Sequence, residues 1–339
     1  TIKEAIDIFY IVNAAGVNLT DAELALAQIS GYWPEARSLF KEKIKALSSH
    51  GYVFKLDFII YLILGVLYNI GSKMDKLHDI NNNDRIRDAW KKLDEHTLDY
   101  IINILKSEAY IDHTKEVNTI YAFIPMIVYS YKKNNNLSQI EIKKMIKWFY
   151  YSQIRFRYTN SLQQKLDKDL TIIANENNPF DILLNKIQQE RNLEITVDEF
   201  EGSGIRHPLW GLMQFYFKSR NAICLSTGIQ IRKSNYGKKY DLEWDHIFPY
   251  SVLKEHGYGM QNSIKYQLAQ EITNRIVLTS TANRSKSAQL AESYLNEVAK
   301  RFPNSFDLQC VPKESSLWNI DRYEDFLKKK LSILVRIIL

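Results

Sequence analysis

Apolar residues in the first two hundred positions recur mostly at helical spacing. One face of the helix predicted after Ser138 carries Ile142, Met145, Ile146 and Phe149. Ser138 and Glu141 have the spacing of a capping box, and Thr20 with Glu23 repeats it near the N-terminus. We therefore expect this region to be helical.

The pattern changes around residues 201–208, where Gly and Ser indicate a linker or a domain edge. Beyond it we predict a helical stretch from Leu209 to Ala222. Two β-prone segments follow, Leu242–His246 and Asn274–Leu278, separated by a long loop. A further helix is predicted from Ser285 through Val298. The expected fold is mainly α, with a helical N-terminal region followed by a domain that contains a small β element.

No segment of the sequence predicts a membrane or secreted protein. The most apolar run, Phe58–Tyr68, is bounded by Asp57 and Asn69 and is much shorter than the roughly 20 residues that cross a bilayer. We predict that it is a buried core helix. No signal peptide is visible, and Cys224 and Cys310 form no CxxC pair. We expect a cytoplasmic protein.

The net charge of +6 is concentrated in one part of the chain. Residues 201–301 contain 14 Lys and Arg against 8 Asp and Glu, and the remaining residues balance at 31 against 31. A basic C-terminal block is typical of a domain that meets a polyanion. A surplus of this size is also common among soluble domains, so the charge alone does not decide for nucleic acid.

Three polar residues suggest hydrolysis of a phosphodiester. His246 ends the first predicted strand beside Asp245, and Asn283 lies just before the last predicted helix. A neutral imidazole, with a usual pKa of about 6.5, can take a proton from water. Asp245 and Asn283 offer hard oxygen ligands, which suit Mg²⁺ or Mn²⁺ rather than zinc. Arg284 and Lys286 add positive charge where a nucleic-acid backbone would pass. An isolated Asp-His pair in a strand is more often structural, so the interpretation depends on the whole set.

The motifs in this region resemble those of HNH (ββα-metal) endonucleases, and closely those of the HNH domain of CRISPR effector nucleases. They are Asp-His-Ile-x-Pro-x-Ser from Asp245, Asn-x-x-x-Leu-Thr from Asn274 and Asn-Arg-x-Lys-Ser from Asn283. The resemblance implies His246 as the general base, with Asp245 and Asn283 holding one divalent ion. It further implies that Asn274 pins the loop carrying His246, and that Lys286 contacts the phosphate or the leaving group.

Other basic residues are candidates for contacts to nucleic acid: Arg284, Arg275, Lys238 and Lys239. The third motif position is Asn283 instead of His, a known variation that favours Mg²⁺ over softer metals. The segment Lys254–Gln270 is long, which leaves open which strand of a duplex the site would face.

A second resemblance, to GmrSD-type restriction proteins, covers the region before the nuclease motifs. Residues 8–27 are similar to a segment of that family's ParB/sulfiredoxin-like module, except that Ile11 stands where the family tends to have Arg. Arg157–Ser161 with Asp169 is similar to the family's helical middle region. The family's nucleotide-associated Asp-Gly-Gln-Gln-Arg motif is absent.

The family layout implies three parts of the chain. Residues 1–40 would be the tail of a ParB/sulfiredoxin-like module, 41–200 a helical domain and 201–339 the HNH nuclease domain. The chain then resembles the back two-thirds of such a protein. An NTP-dependent upstream module would belong to the same longer chain or to a separate partner.

The segments Lys147–Tyr151 and Arg155–Tyr158 interleave aromatic and basic residues. Such rings can stack on bases, but helical spacing puts Phe149 and Phe156 on the face of Met145. The spacing favours core packing, with Arg155 and Arg157 left as candidates for a surface facing DNA.

Together these observations predict Mg²⁺-dependent hydrolysis of DNA, in bacterial defence or restriction directed at foreign or modified DNA. One alternative is a catalytically silent DNA-binding or regulatory protein on the same fold. Another is an RNA-directed, toxin-like nuclease with the same chemistry. A third is that the helical region acts mainly as a scaffold for protein interactions.

Overall fold

The computed structural model describes residues 20–231 and 242–338. The predicted segment before Thr20, and the candidate contacts Lys238 and Lys239, lie outside the described residues. The chain divides into two compact units between Leu193 and Glu194. The boundary expected from the sequence stood a few residues later, at 200/201.

The N-terminal unit is built from helices and short turns. Its α-helices among the described residues are α1 (Asp21–Tyr32), α2 (Ala36–Ser49), α3 (Leu56–Tyr68), α4 (Asn83–Lys92), α5 (Leu98–Ser107), α6 (Phe123–Lys132), α7 (Gln139–Ile154), α8 (Leu162–Asn175) and α9 (Pro179–Glu190). A π-helical stretch, Leu93–Thr97, joins α4 to α5. Short 3-10 turns occur at Met74–Leu77, Ile80–Asn82, Thr114–Glu116 and Ile120–Ala122. The boundary expected at 40/41 falls inside α2.

Local signals in this unit act where the sequence predicted. Thr20 and Ser138 each accept from a backbone N–H three residues on, and the glutamate at that position bonds back to the cap. Both capping boxes are therefore confirmed, because side-chain groups satisfy N–H groups that a helix start leaves open. The predicted core helix is confirmed as α3, in which the side chains from Phe58 to Leu64 are buried.

The aromatic and basic segment of α7 packs into the core. Trp148 and Phe149 are fully buried, which confirms the core packing predicted for Phe149. Phe156 lies beyond the end of α7 at φ 53° and is half-buried, so helical spacing does not apply to it. Arg157, a candidate for a DNA-facing surface, is 3% exposed. Its Nε and Nη2 donate to the two carboxylate oxygens of Asp169. For Arg157 that candidate role is therefore wrong, because Asp169 on α8 draws the side chain inward.

The C-terminal unit holds the only strands among the described residues. Its elements are α10 (Leu209–Ser219), β1 (Leu242–His246), α11 (Tyr250–Glu255), α12 (Ser263–Gln270), β2 (Arg275–Thr279), α13 (Ser280–Lys286), α14 (Ala291–Arg301), α15 (Ser305–Leu308) and α16 (Tyr323–Ile338). Its 3-10 turns are Val197–Glu199, Ile272–Asn274, Ser315–Leu317 and Ile320–Arg322. The protein is thus mainly helical with one small antiparallel sheet.

The two strands pair antiparallel, with His246 opposite Arg275 and Asp245 opposite Ile276. Ile276 and Leu278 are fully buried in the core of this unit. Since side chains alternate between the faces of a strand, Glu243 and Asp245 share one face of β1, and Trp244 and His246 share the other.

The helix after β2 begins earlier than the sequence suggested. The expected single helix from Ser285 through Val298 is wrong, since α13 begins at Ser280 and α14 at Ala291. The Thr279 hydroxyl caps α13 by accepting from the N–H of Ala282, and Ser287, at φ 44°, ends it. Asn283 and Lys286 therefore lie inside a helix, one turn apart, on the same side.

Within the part of the chain that the structure describes, no helix has both the length and the apolar character needed to span a membrane.

Candidate functional site

Two side-chain pairs join β1 to α13. The Asn283 amide nitrogen donates to Glu243 Oε2 at 2.6 Å, and Lys286 Nζ donates to Asp245 Oδ2 at 2.7 Å. The partners are two apart on the strand and three apart on the helix, so the pairs are adjacent. The structure thereby brings Asp245, Asn283 and Lys286 together.

Glu243 determines how the Asn283 amide is oriented. A carboxylate offers only acceptors, so the amide group facing it must be the NH₂. The Asn283 oxygen is consequently turned away from Glu243. Sequence reasoning did not select Glu243, although alternation along β1 puts it on the face of Asp245.

Lys286 is held inside the unit. Its side chain is 1% exposed, and Nζ also donates to the His246 carbonyl oxygen at 2.7 Å. Burial lowers the pKa of Lys286, and the charge of Asp245 opposes that effect. In this arrangement the ammonium neutralises Asp245.

Asn274 ties down the segment that follows His246. Its side-chain oxygen accepts from the N–H of Phe248, and its NH₂ donates to the carbonyl oxygens of Phe248 and Ala269. Its own carbonyl accepts from the N–H of Ile247 at 2.8 Å. Asn274 is fully buried, so these bonds form away from water and hold the backbone after β1 in one place.

Both ring nitrogens of His246 are engaged. Arg275 Nη1 lies 3.2 Å from Nδ1, and Gln270 Oε1 lies 3.2 Å from Nε2. Arginine can only donate, so Nδ1 is the acceptor and Nε2 carries the proton. Arg275 Nη2 donates to the same Gln270 oxygen at 2.9 Å, which confirms the orientation of the Gln270 amide. His246, Arg275 and Gln270 are thus joined pairwise by hydrogen bonds, and we call this arrangement the His246 cap.

The surroundings keep the His246 ring neutral. Burial, and next the positive charge of Arg275, lower the pKa of His246 to about 4. At neutral pH the imidazole is therefore neutral, with its proton on Nε2, and the lone pair on Nδ1 points at an arginine N–H. Gln270 was not selected from the sequence. Its position in the sequence could have indicated it, because Gln270 ends the segment that leads into β2.

Arg275 is a buried cation that lacks a carboxylate partner among the described residues. Its side chain makes only the two contacts of the His246 cap, and its Nε is buried without a hydrogen bond. The residue is 7% exposed. Burial lowers the pKa of Arg275 to about 10, and the negative charge of nearby Asp245 opposes that effect.

The site is divided between two faces of the strand pair. Asp245 faces α13, whereas His246 lies on the face of its cross-strand neighbour Arg275. The side chains of the adjacent Asp245 and His246 therefore form hydrogen bonds with different residues, although Lys286 also donates to the His246 backbone carbonyl. Arg284 is exposed on α13 and takes part in neither the Asp245–Lys286 pair nor the His246 cap.

The donors near α13 suit a hard cation. Glu243, Asp245 and Asn283 supply carboxylate and amide oxygens, the ligands preferred by Mg²⁺ and Mn²⁺. Among the described residues, no group of three or more His, Cys, Asp or Glu side chains is arranged to hold a metal ion. Any ion here would depend on the amide of Asn283.

Comparison with models of known protein families finds no match for the chain, and comparison with curated proteins finds no significant one.

Proposed function

We propose that this protein is a metal-dependent endonuclease of the HNH (ββα-metal) type that hydrolyses phosphodiester bonds in DNA. The observation that supports it best is the local arrangement of β1, β2 and α13. It brings Asp245 to the helix that carries Asn283 and Lys286, and Asn274 ties the backbone after His246.

In this proposal His246 is the general base. Its lone-pair nitrogen accepts a proton from a water molecule while that water's oxygen bonds to phosphorus. The P–O bond to the leaving sugar oxygen breaks, and that oxygen then takes up a proton. The low pKa of His246 keeps the base unprotonated at neutral pH.

Asp245 and Asn283 would hold one Mg²⁺ or Mn²⁺ ion. When bound, such an ion offsets negative charge on the phosphate. Glu243 keeps the Asn283 oxygen available by engaging its NH₂. Lys286, now paired with Asp245, would exchange that partner for a phosphate or leaving-group oxygen. Arg284 and the basic surplus of residues 201–301 would attract the DNA backbone.

The proposed cellular role is bacterial defence, by nicking or cutting foreign or modified DNA. It rests on the similarity to GmrSD-type restriction proteins and is an inference by analogy. By the same analogy, an upstream ParB/sulfiredoxin-like, NTP-dependent module would be the partner in the same or a separate chain.

The test is conversion of supercoiled plasmid by the full chain with Mg²⁺ or Mn²⁺. Parent protein is compared with His246→Ala and with His256→Ala, a matched control because His256 is exposed on the same unit. We expect nicked or linear product with the parent and the control, and none with His246→Ala or with EDTA.

Equal cleavage by His246→Ala would show that the proposed base is wrong. Binding of plasmid without cleavage, with either metal, would favour the silent DNA-binding alternative, which the capped state of His246 also suits. Preferential cleavage of a structured RNA, at equal phosphate concentration, would favour the RNA-directed alternative.

A further inference from the structure

Among the described residues, no carboxylate forms a hydrogen bond with the Arg275 side chain, although the charge of nearby Asp245 acts on it. Removing a guanidinium from water is costly unless a carboxylate or another anion compensates. Arg275 is 7% exposed, yet its partners are a neutral imidazole and a neutral amide, and its Nε has none. A guanidinium placed in this way is prepared for an anion.

The same side chain blocks the proposed base. His246 has one nitrogen with a lone pair, Nδ1, and the Arg275 N–H points at it from 3.2 Å. The other nitrogen gives its proton to Gln270 at 3.2 Å. In this state the imidazole has no site left to accept a proton from water.

We propose that Arg275 exchanges His246 for a phosphate of the nucleic acid, so that substrate binding itself uncovers the base. This inference rests on the proposed function. A planar guanidinium binds phosphate oxygens through parallel N–H groups, and such charged bonds are much stronger than a bond to a neutral imidazole. The phosphate therefore competes effectively for Arg275.

The backbone around Arg275 permits this exchange. Its carbonyl oxygen accepts from the fully buried Lys330 Nζ at 2.6 Å, and β2 pairs it with His246. The main chain is thus fixed, and only the guanidinium changes partners. Gln270 keeps its bond to Nε2–H, so the lone pair that appears is always on Nδ1. Gln270 is in this sense a positioning residue for the base.

The exchange has a functional consequence. His246 would accept protons only when a phosphate lies beside it, and a free enzyme would keep its base covered. The reactive state is then coupled to correct placement of the backbone against β2, where Arg275 and His246 stand side by side.

The test follows the side-chain nitrogens of His246 by NMR. Full-length protein labelled with ¹⁵N-histidine is studied in EDTA, so that no cleavage occurs, and His246→Gln assigns the signals. The probe is a short double-stranded DNA oligonucleotide whose binding is measured separately by fluorescence anisotropy. Variants are Arg275→Met, Arg275→Lys and the control Arg322→Met, which removes an exposed arginine of the same unit.

For the free parent we expect Nε2 to be protonated and Nδ1 to be a hydrogen-bonded acceptor. Bound oligonucleotide should move the Nδ1 signal to the position of a nitrogen that has lost its arginine partner. Arg275→Met should show that position without DNA and should not respond to DNA. Arg322→Met should behave as the parent, and Arg275→Lys should respond weakly because it lacks the planar fork.

A second measurement does not need DNA. The rate at which diethyl pyrocarbonate modifies His246, read by peptide mass spectrometry, should rise about tenfold in Arg275→Met, as expected for loss of a charged hydrogen bond. Should Arg275→Met fail to fold, Arg275→Lys is used in the NMR comparison, where its Nδ1 signal should move less than that of the parent when DNA binds.

Oligonucleotide that binds the parent without moving Nδ1 would overturn the exchange and leave the nuclease proposal standing. Free protein whose His246 carries its proton on Nδ1 would overturn the cap itself. Absence of any DNA binding would overturn the exchange together with the proposed function.

Discussion

Arg157 in the N-terminal unit and Arg275 in the C-terminal unit are both buried, but only one has a matched anion. Asp169 receives both ends of the Arg157 fork and also the Tyr158 hydroxyl, and Glu190 lies near the third nitrogen. Arg275 meets a neutral imidazole and a neutral amide.

The two pKa values reflect this difference. Burial lowers both, but the bonds and charge of Asp169 hold the pKa of Arg157 above its ordinary value, whereas Arg275 falls to about 10. The comparison teaches that burial alone does not make an arginine structural. Asp169 and Glu190 accept the hydrogen bonds of Arg157, whereas Arg275 has no hydrogen-bonded carboxylate among the described residues, and we propose that a phosphate takes that place.

The largest expected effect comes from breaking the closed pair. Asp169→Asn leaves a buried guanidinium without its charge partner and should cost about 3–5 kcal/mol in free energy of unfolding. Urea denaturation followed by circular dichroism measures it. The control is Asp181→Asn, which removes an exposed partner of Lys144 and should cost about 0–1 kcal/mol. Equal costs for both would contradict the structural role of Asp169.

Next in size is the contrast between the two arginines themselves. Arg157→Met leaves the Asp169 carboxylate buried without its cation and should cost about 3 kcal/mol or more. Arg275→Met should cost about 1.5 kcal/mol, as for loss of a hydrogen bond between a charged and a neutral group. For DNA affinity we expect the opposite: Arg275→Met should have the larger effect and Arg157→Met the smaller. Arg275→Met should lower the slope of log affinity against log salt by about 1, as for one lost phosphate contact.

Anisotropy titrations at several salt concentrations provide that slope. Arg157→Met, compared at a temperature where it is folded, should keep the slope of the parent. A slope unchanged in Arg275→Met would show that this arginine does not meet the backbone of DNA.

Glu243, on the face of β1 opposite His246, tests whether the Asn283 amide is held in place for a metal ion. Glu243→Ala frees the Asn283 amide to rotate, so the Mn²⁺ concentration for half-maximal plasmid cleavage should rise about 10- to 100-fold, as for loss of an outer partner of a metal ligand. Glu255→Ala, at an exposed position of α11, is the control. An unchanged Mn²⁺ requirement would mean that Glu243 does not orient Asn283.

The smallest expected effect concerns another paired acid of the N-terminal unit. Burial would raise the pKa of Glu141, but hydrogen bonds from Tyr129 and Ser138 lower it to about 2, from 4.5. A lowered folded-state pKa contributes stability that is present above pH 4.5 and is lost as the pH falls toward 2.

Glu141→Gln should therefore destabilise the protein near neutral pH and much less in acid. The urea midpoints of parent and Glu141→Gln, measured near neutral pH and again in acid well below pH 4.5, give the change in stability at each pH. Glu42→Gln, at an exposed position of α2, should change little at either pH. A constant difference between parent and Glu141→Gln across pH would contradict the assigned bonds.

Several elements could be predicted from the sequence. Both capping boxes, the core helix that contains Phe58–Tyr68 and the strand Leu242–His246 form as expected. They depend on signals within a few residues, namely cap side chains, apolar spacing and β-prone runs. The start of α13 was missed because the cap, Thr279, was counted as part of the preceding strand motif.

The partners within the site could be predicted only in part. Alternation along β1 would have put Glu243 beside Asp245, but not beside Asn283, which is 40 residues away. Nothing local indicates that Arg275 points at His246, because that contact requires the register between two strands.

The sequence by itself determined the helical character of the N-terminal region and the two strands, but not the helices Tyr250–Glu255 and Ser263–Gln270 in the segment predicted as a loop. It also placed the candidate base, the candidate oxygen ligands and several cations in one region. Local backbone hydrogen bonding and side-chain periodicity decide those features. Only the tertiary structure decided which side chain each buried cation contacts. It pairs Arg157 with Asp169 and Lys286 with Asp245, and leaves Arg275 on His246, because burial and strand register control the partners available once water is excluded.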